Sequence, residues 1–168
     1  MELYILRHAI AVERGTPGFE VDSTRPLTPA GENKMRQIAK GMRALAVDPD
    51  LILSSPYVRA RQTAEIVAQT FKISDRLVLT SHLEPAGDPH ALISEILSHY
   101  SDRRRIVLVG HEPFLSELAS MLTAGNTNLP IVLKKGGLCR LTVSDLRYGA
   151  CATLEWLLTP RHLVLMAG

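Results

Sequence analysis

The sequence predicts an α/β fold with three layers, in which a mostly parallel central sheet is flanked by helices and has an antiparallel edge near the C-terminus. Short apolar runs alternate with helical patterns up to residue 124, which is typical of a parallel sheet. Two more strand-like runs then follow, joined by a short connection, and indicate a hairpin at the sheet edge. The 168 residues, 46% of them hydrophobic, suit one domain spanning residues 1–168.

The first strand delivers two polar residues to one edge of this sheet. Leu3 to Leu6 is an uninterrupted apolar run with β-branched and aromatic members, which indicates a buried strand. The run ends at Arg7 and His8, so both are expected at the carboxyl edge, where open α/β sheets bind ligands. On this dipeptide alone, the simpler interpretation is a strand end that meets solvent. Residues 9–26 contain several Gly and Pro and predict a long loop, of the kind that forms an active-site rim.

The first two helices are predicted from their N-terminal signals and apolar spacing. Thr28-Pro29 combines a hydroxyl N-cap with proline at the first helical position, and apolar residues recur at steps of three and four over a helix from about 29 to 46. A second buried strand, Leu51 to Leu53, leads to Ser55-Pro56. Here Ser55 is expected to cap a second helix that runs to about Phe71.

The later elements are predicted by the same signals. They are an apolar run at 77–79, a helix opened by Asp88-Pro89, a central strand at 106–109, a helix at about 113–124 closed by Gly125-Asn126, and strands at 138–143 and 153–158.

Four polar side chains follow these parallel strands at comparable positions. They are Arg7 and His8 after the first strand, Arg59 after the second, and His111 after the central strand at 106–109. Parallel strands put their carboxyl ends on one edge, so the four can converge although they span more than a hundred residues. Cations at a helix N-terminus such as Arg59 oppose the macrodipole and indicate an anion nearby. Two arginines and two histidines in one pocket fit a ligand with dense negative charge, and phosphate fits best.

These residues also resemble a known family. The block Leu-Arg-His-Ala at 6–9 resembles the signature of the histidine phosphatase superfamily, also called phosphoglycerate mutase-like. The residues Ser-Ser-Pro-Tyr-Val-Arg-Ala-Arg-Gln-Thr-Ala at 54–64 resemble its second block, and Val-Gly-His at 109–111 its third. The chain length and the segment at 22–31 are similar to the SixA branch of small phosphohistidine phosphatases. The resemblance covers nearly the whole chain, with the blocks in the expected order.

The resemblance implies a role for each of these positions. His8 is expected to be the nucleophile that takes the phosphoryl group, while Arg7, Arg59 and His111 bind its non-bridging oxygens. Arg25, from the first loop, is expected to close over the phosphate. Phosphoryl transfer mainly requires that a protein position the reacting groups and place cations around the phosphoryl oxygens, which agrees with these roles. The attacking histidine should be neutral, with its other ring nitrogen donating to a backbone carbonyl, and bound phosphate should hold His111 protonated.

A general acid for the leaving group is harder to assign. Glu84 falls close to where the larger family keeps its acid, but its spacing from the preceding leucine departs from that pattern. Asp88 is interpreted as a helix cap, and Arg61 is expected at the surface. A phosphohistidine releases imidazole, which departs more readily than an alkoxide, so a weak or missing acid favours a phosphohistidine substrate over a sugar phosphate.

Composition narrows the function classes. With 19 basic and 17 acidic residues the formal net charge is +2, which gives no sign of nucleic-acid binding. No apolar run reaches the length of a membrane span, and the N-terminus lacks a signal-peptide pattern, so a cytoplasmic location is the default expectation. The two cysteines, Cys139 and Cys151, are expected to be reduced and buried. No motif calls for a metal ion, a cofactor, a serine nucleophile or a nucleotide-binding loop.

The sequence thus predicts a metal-independent phosphohistidine protein phosphatase that works through a phosphorylated His8. The expected partner is a phosphohistidine-containing protein such as a phosphotransfer domain, and a monomer is the default expectation. Two alternatives stay open: a phosphatase for small phosphate esters, and a non-catalytic module that binds a phosphorylated partner. Retention of both His8 and His111 argues against the binding module, since a binder needs only cations.

Overall fold

The computed structural model describes residues 1–168, which form a six-stranded sheet with helices on both faces. In chain order the strands are β1 (Glu2–Arg7), β2 (Leu51–Ser54), β3 (Leu77–Leu79), β4 (Arg105–Gly110), β5 (Leu138–Val143) and β6 (Ala152–Leu158). The helices are α1 (Pro29–Ala44), α2 (Val58–Phe71), α3 (Pro89–His99), α4 (Phe114–Ala124) and α5 (Pro160–Met166). The strand order is β3-β2-β4-β1-β5-β6.

The first four strands run parallel, and the last two form an antiparallel edge, as predicted. The strand β4 lies between β1 and β2, and both pairings are parallel. The strand β5 pairs antiparallel with β1, and β6 pairs antiparallel with β5. The carboxyl ends of β1, β2 and β4 therefore lie at one edge of the sheet, as the predicted site requires.

The buried apolar side chains fall into two clusters, one on each face of the sheet. One face is covered by α3 and α4, with residues such as Leu92, Ile96 and Leu118. The other is covered by α1, α2 and α5, with residues such as Met35 and Val67. Successive residues of β1 and β4 alternate between the two clusters, because side chains of a strand point to opposite faces. Both faces of the central strands are therefore buried, which explains their continuous apolar runs.

Two of the three predicted N-caps are confirmed and one is wrong. The side chain of Thr28 accepts a hydrogen bond from the backbone of Gly31, and that of Asp88 accepts one from the backbone of His90. Ser55 does not cap α2, which begins at Val58 after an N-cap position at Tyr57. The chain instead makes a further bend after β2, where the Ser55 hydroxyl accepts a hydrogen bond from the backbone N–H of Tyr57 at 3.3 Å and also bonds with His111.

The prediction missed the C-terminal helix α5. Its signal is the same as that of α1: Thr159-Pro160 begins the helix, and Thr159 and His162 form a reciprocal capping box. The helix packs against α1, where the backbone carbonyl of Leu163 lies against Gly41. No helix in the structure is both long and apolar enough to cross a membrane.

Candidate active site

The four residues predicted to converge do so at the carboxyl edge of the sheet. Arg7, His8, Arg59 and His111 line one cavity of about 260 Å³, together with Arg25. The other lining residues are Glu13, Arg14, Pro85, Glu112 and Lys135. Pro85 is thus the one lining residue without a charged or titratable side chain, so the cavity is built for a small, densely charged group rather than for an apolar one.

His8 is held in one orientation and one protonation state. Its Nδ1 lies 2.8 Å from the backbone carbonyl oxygen of Ala9, so Nδ1 carries the proton and donates it. Arg59 Nε donates to His8 Nε2 at 3.3 Å, which requires a lone pair on Nε2. Burial lowers the pKa of His8 to about 3, with further lowering by the charges of His111, Arg59 and Arg7. At neutral pH, His8 is therefore an uncharged imidazole with Nε2 as its nucleophilic atom.

Arg59 is fixed by a carboxylate that the sequence analysis did not single out. Its Nη2 donates to Asp22 Oδ2 at 2.9 Å, and its Nη1 donates to the backbone oxygen of Asp22 at 2.7 Å. The Asp22 Oδ1 atom accepts from Arg25 Nε at 3.0 Å and Nη2 at 2.7 Å, and from Arg14 Nε at 3.0 Å. Burial acts to raise the pKa of Asp22, but hydrogen bonds and charge from Arg25 and Arg59 outweigh it and lower the pKa to about 2. Asp22 therefore ties Arg25 from the long loop to Arg59 of α2.

His111 faces His8 across the cavity, with a distance of 5.1 Å between the ring centroids. Its Nε2 shares a hydrogen bond of 2.9 Å with the Ser55 hydroxyl, while its buried Nδ1 has no hydrogen-bond partner in the chain. Burial lowers the pKa of His111 to about 3, and the charge of Arg59 adds to this effect. His111 is therefore neutral at pH 7 in the unliganded chain. The expectation that bound phosphate protonates it stays a prediction.

Arg7 is positioned by the segment that precedes β5. Its Nη1 donates to the backbone oxygen of Leu133 at 2.9 Å. The backbone of Gly136, at a φ of 77°, donates to the carbonyl of Arg7 at 3.0 Å, and this left-handed conformation favours glycine. The turn also places Lys135 in the cavity wall. The C-terminal segment thus contributes a cation to a site whose other parts come from the first two thirds of the chain.

The chain is similar to known proteins in both sequence and fold. The family model described as the histidine phosphatase superfamily, branch 1, matches residues 3–83, which contain His8, Arg25 and Arg59. The chain belongs to the histidine phosphatase superfamily. Membership implies a phosphatase, a hydrolase that removes phosphoryl groups.

Three known proteins are similar to this superfamily member over most of its length. An uncharacterized protein of Picosynechococcus sp. is 36% identical over 142 residues, which are 84% of each chain. The phosphohistidine phosphatase SixA of Escherichia coli is 27% identical over 165 residues, 97% of this chain and 96% of its own. The solved structure of the protein histidine phosphatase SixA complexed with tungstate superposes with a TM-score of 0.82 over 97% of this chain and 99% of that one, at 24% identity, which shows the shared fold.

One predicted site residue lies outside the cavity of this histidine phosphatase superfamily member. Glu84 is not among the lining residues, although its neighbour Pro85 is. Arg61 is exposed and lies 3.5 Å from Glu65 on the surface of α2, as expected. The structure also contains no group of three or more His, Cys, Asp or Glu side chains that could hold a metal ion.

The sequence analysis missed several residues of the site, among them Asp22, Ser55, Glu112 and Lys135. Asp22 had a weak signal, since an acidic residue three positions before Arg25 can pair with it within one turn. Ser55 was predicted to cap a helix, and this interpretation gave no indication of its contact with His111. Glu112 directly follows His111 and was given no role, but it lines the cavity beside the cations.

Proposed function

We propose that the chain is a phosphohistidine protein phosphatase that acts through a covalent phosphohistidine at His8. The observation that carries the proposal is the neutral His8 with its proton fixed on Nδ1, because this state keeps Nε2 unprotonated, and the Nε2 lone pair is the one that attacks phosphorus. A module that only binds phosphate has no need for this arrangement.

The cations around His8 support the transfer step. Arg7, Arg59 and His111 surround the position where the phosphoryl oxygens would lie, and Arg25 adds a fourth donor from the loop. Guanidinium groups match the geometry of phosphoryl oxygens and stabilise the charge that spreads over them in the transition state. Water would then hydrolyse the phosphohistidine at His8 and return the ring to its starting state.

The shape and charge of the cavity favour a phosphorylated side chain of a protein as substrate. A volume of about 260 Å³ accommodates a phosphoryl group and part of a ring, and no lipophilic wall is present to recognise a larger ligand. The likeness to SixA proteins points to phosphohistidine, and a histidine phosphotransfer domain is a suitable partner. A phosphatase for small phosphate esters is the alternative.

A rapid-quench experiment tests this function. Wild type and His8→Ala are mixed with a radiolabelled, phosphorylated histidine phosphotransfer domain, and the label on the enzyme is measured over time. We expect wild type to trap label that is stable in base and lost in acid, and His8→Ala to trap none. His99→Ala, which changes an exposed histidine of α3, is the matched control and should behave as wild type.

Two other outcomes would reject the proposal. If wild type binds the phosphorylated domain but neither takes up label nor releases phosphate, the chain is a binding module. If wild type hydrolyses small phosphate esters but leaves the phosphorylated domain unchanged, the ester phosphatase is correct.

A further inference from the structure

We propose that Glu112 is the general acid and base of the reaction: it protonates the leaving atom in the first step and deprotonates water in the second. The inference rests on the proposed function. It assigns the general acid, a role for which the sequence analysis considered Glu84.

The register of the sheet brings Glu112 close to the nucleophile. The backbone N–H of His8 donates to the carbonyl oxygen of Gly110 at 3.1 Å, and Arg7 pairs with Gly110 at the end of β4. Glu112 lies two residues beyond this contact and lines the same cavity as His8. Its carboxyl is anchored at the start of α4, where the backbone N–H of Ser116 donates to Oε1 at 3.2 Å. This anchor uses one oxygen and leaves Oε2 without a partner in the chain.

The other carboxyl groups near the cavity are unsuitable. Asp22 accepts hydrogen bonds from three arginines, which hold it ionised. Glu13 is exposed on the long loop, and Glu84 is not part of the cavity wall. Glu112 is partly buried and forms no ion pair, whereas Asp22 pairs with Arg14, Arg25 and Arg59. Glu112 is the carboxyl group of the cavity that is free to exchange a proton.

The electrostatic environment of Glu112 supports this assignment. Burial raises its pKa, while the hydrogen bond from Ser116 and the charge of Arg7 act in the opposite direction. The charge of Glu117 on α4 raises it further. A carboxyl group that holds its proton to higher pH is better suited to donate it during the reaction.

Protons are balanced over the two steps, the phosphorylation of His8 and the hydrolysis of the phosphohistidine. As His8 Nε2 forms its bond to phosphorus, the bond from phosphorus to the leaving nitrogen or oxygen breaks and its electron pair stays on that atom. The Glu112 carboxyl gives this atom its proton and becomes a carboxylate. Water then attacks the phosphorus, the carboxylate takes one proton from the water, and His8 leaves as a neutral imidazole. The products are the free leaving group and inorganic phosphate, and Glu112 is protonated again.

The test compares two substrates of nearly equal size whose leaving groups differ in their need for a proton. The nitrophenolate of p-nitrophenyl phosphate departs without protonation, whereas the phenolate of phenyl phosphate is far more basic. We expect Glu112→Gln to slow phenyl phosphate hydrolysis by about 100-fold, in the range typical of a lost general acid. The same variant should keep most of the burst rate at which p-nitrophenyl phosphate phosphorylates His8, whereas the later hydrolysis of the phosphohistidine should be slow with both substrates. Glu112→Asp, which keeps the carboxyl group, should recover part of the loss.

Glu155→Gln is the matched control, since it changes an exposed glutamate of β6 that does not line the cavity. Circular dichroism shows whether Glu112→Gln is folded. If wild type is inactive towards both aryl phosphates, the comparison is made on the phosphorylated phosphotransfer domain, where Glu112→Gln should slow the labelling of His8 at least about tenfold without weakening binding.

An equal loss of the His8 phosphorylation rate on both aryl substrates, or no loss on the phosphorylated domain, would overturn the role of Glu112. So would a leaving-group dependence that appears in Glu84→Gln instead. In each of these cases, labelling of His8 in wild type shows that the proposed function still stands. Absence of any labelling in wild type would reject both.

Discussion

At the scale of single residues, the site depends on contacts that orient two buried histidines, which burial keeps neutral. His8 is fixed by the carbonyl of its neighbour Ala9, a contact that the chain makes locally at the end of β1. His111 is fixed by Ser55, which lies 56 positions away along the chain. The contact of His8 is local, because His8 and Ala9 are neighbours in the sequence. The contact of His111 requires β2 and β4 to be neighbours in the sheet.

The Ser55 contact leads to a prediction about stability. Ser55→Ala removes the partner of the buried His111 Nε2, and leaving such a group unpaired costs about 1–3 kcal/mol. We expect the free energy of unfolding in urea to fall by this amount and the rate of phosphate release to fall with it. Ser94→Ala, on the exposed side of α3, is the control. Equal stability of the two variants would show that Ser55 does not hold His111.

The same contrast between local and distant contacts determines how much of the site the sequence predicts. Arg7, His8, Arg59 and His111 were predicted together because each directly follows a strand or begins a helix, and parallel strands have a common edge. Asp22 was missed because its local pairing with Arg25 does not reveal its contact with Arg59, and Glu112 because its position does not reveal the cavity that it lines. Their contacts depend on how the loop at 9–26 folds back over α2 and on where β4 ends beside β1.

At the scale of elements, most boundaries were predicted to within one or two residues. The strands have uninterrupted apolar runs, and α1 and α3 have proline at the first position after a capping side chain. The start of α2 was wrong because Ser55-Pro56 has the same local pattern as Thr28-Pro29, and only the tertiary contact with His111 distinguishes the two. The short helix α5 was missed, although Thr159-Pro160 has this pattern too, because seven residues give little periodicity.

The packing of α5 against α1 can be tested at Gly41. Alanine is a better helix former than glycine by about 1 kcal/mol, so Gly41→Ala would stabilise an isolated α1. In the folded chain, a Cβ at this position would overlap the carbonyl oxygen of Leu163, which is backbone and has little room to move. We therefore expect Gly41→Ala to lower the urea midpoint.

Lys40→Ala serves as the control for Gly41→Ala, since Lys40 is exposed on the same helix and alanine is at least as good a helix former there. A midpoint for Gly41→Ala above that of wild type would mean that α5 does not pack against α1 in solution.

At the scale of the whole molecule, burying two neutral histidines couples stability to pH. Burial lowers the pKa of both His8 and His111 to about 3 in the folded chain, whereas an unfolded histidine has a pKa of about 6.5. Between these values the unfolded chain binds protons that the folded chain does not bind. The free energy of unfolding therefore falls as the pH falls through this range. The lowered pKa of Asp22 also makes the free energy of unfolding fall with pH, but only below the ordinary pKa of 3.8. Asp22 therefore does not change the stability in milder acid.

Linkage gives the size of the effect between pH 7 and pH 5. Each histidine should cost roughly 2 kcal/mol of stability over this interval, because its unfolded form becomes protonated and its folded form stays neutral. Urea unfolding of wild type at the two pH values measures the total. The double variant His8→Asn/His111→Asn has neither titrating group and should lose much less over the same interval. His99→Asn, which changes an exposed histidine, should keep the dependence of wild type. A double variant whose stability falls as steeply as that of wild type would mean that both histidines are already charged at pH 5, and a charged His8 cannot attack phosphorus.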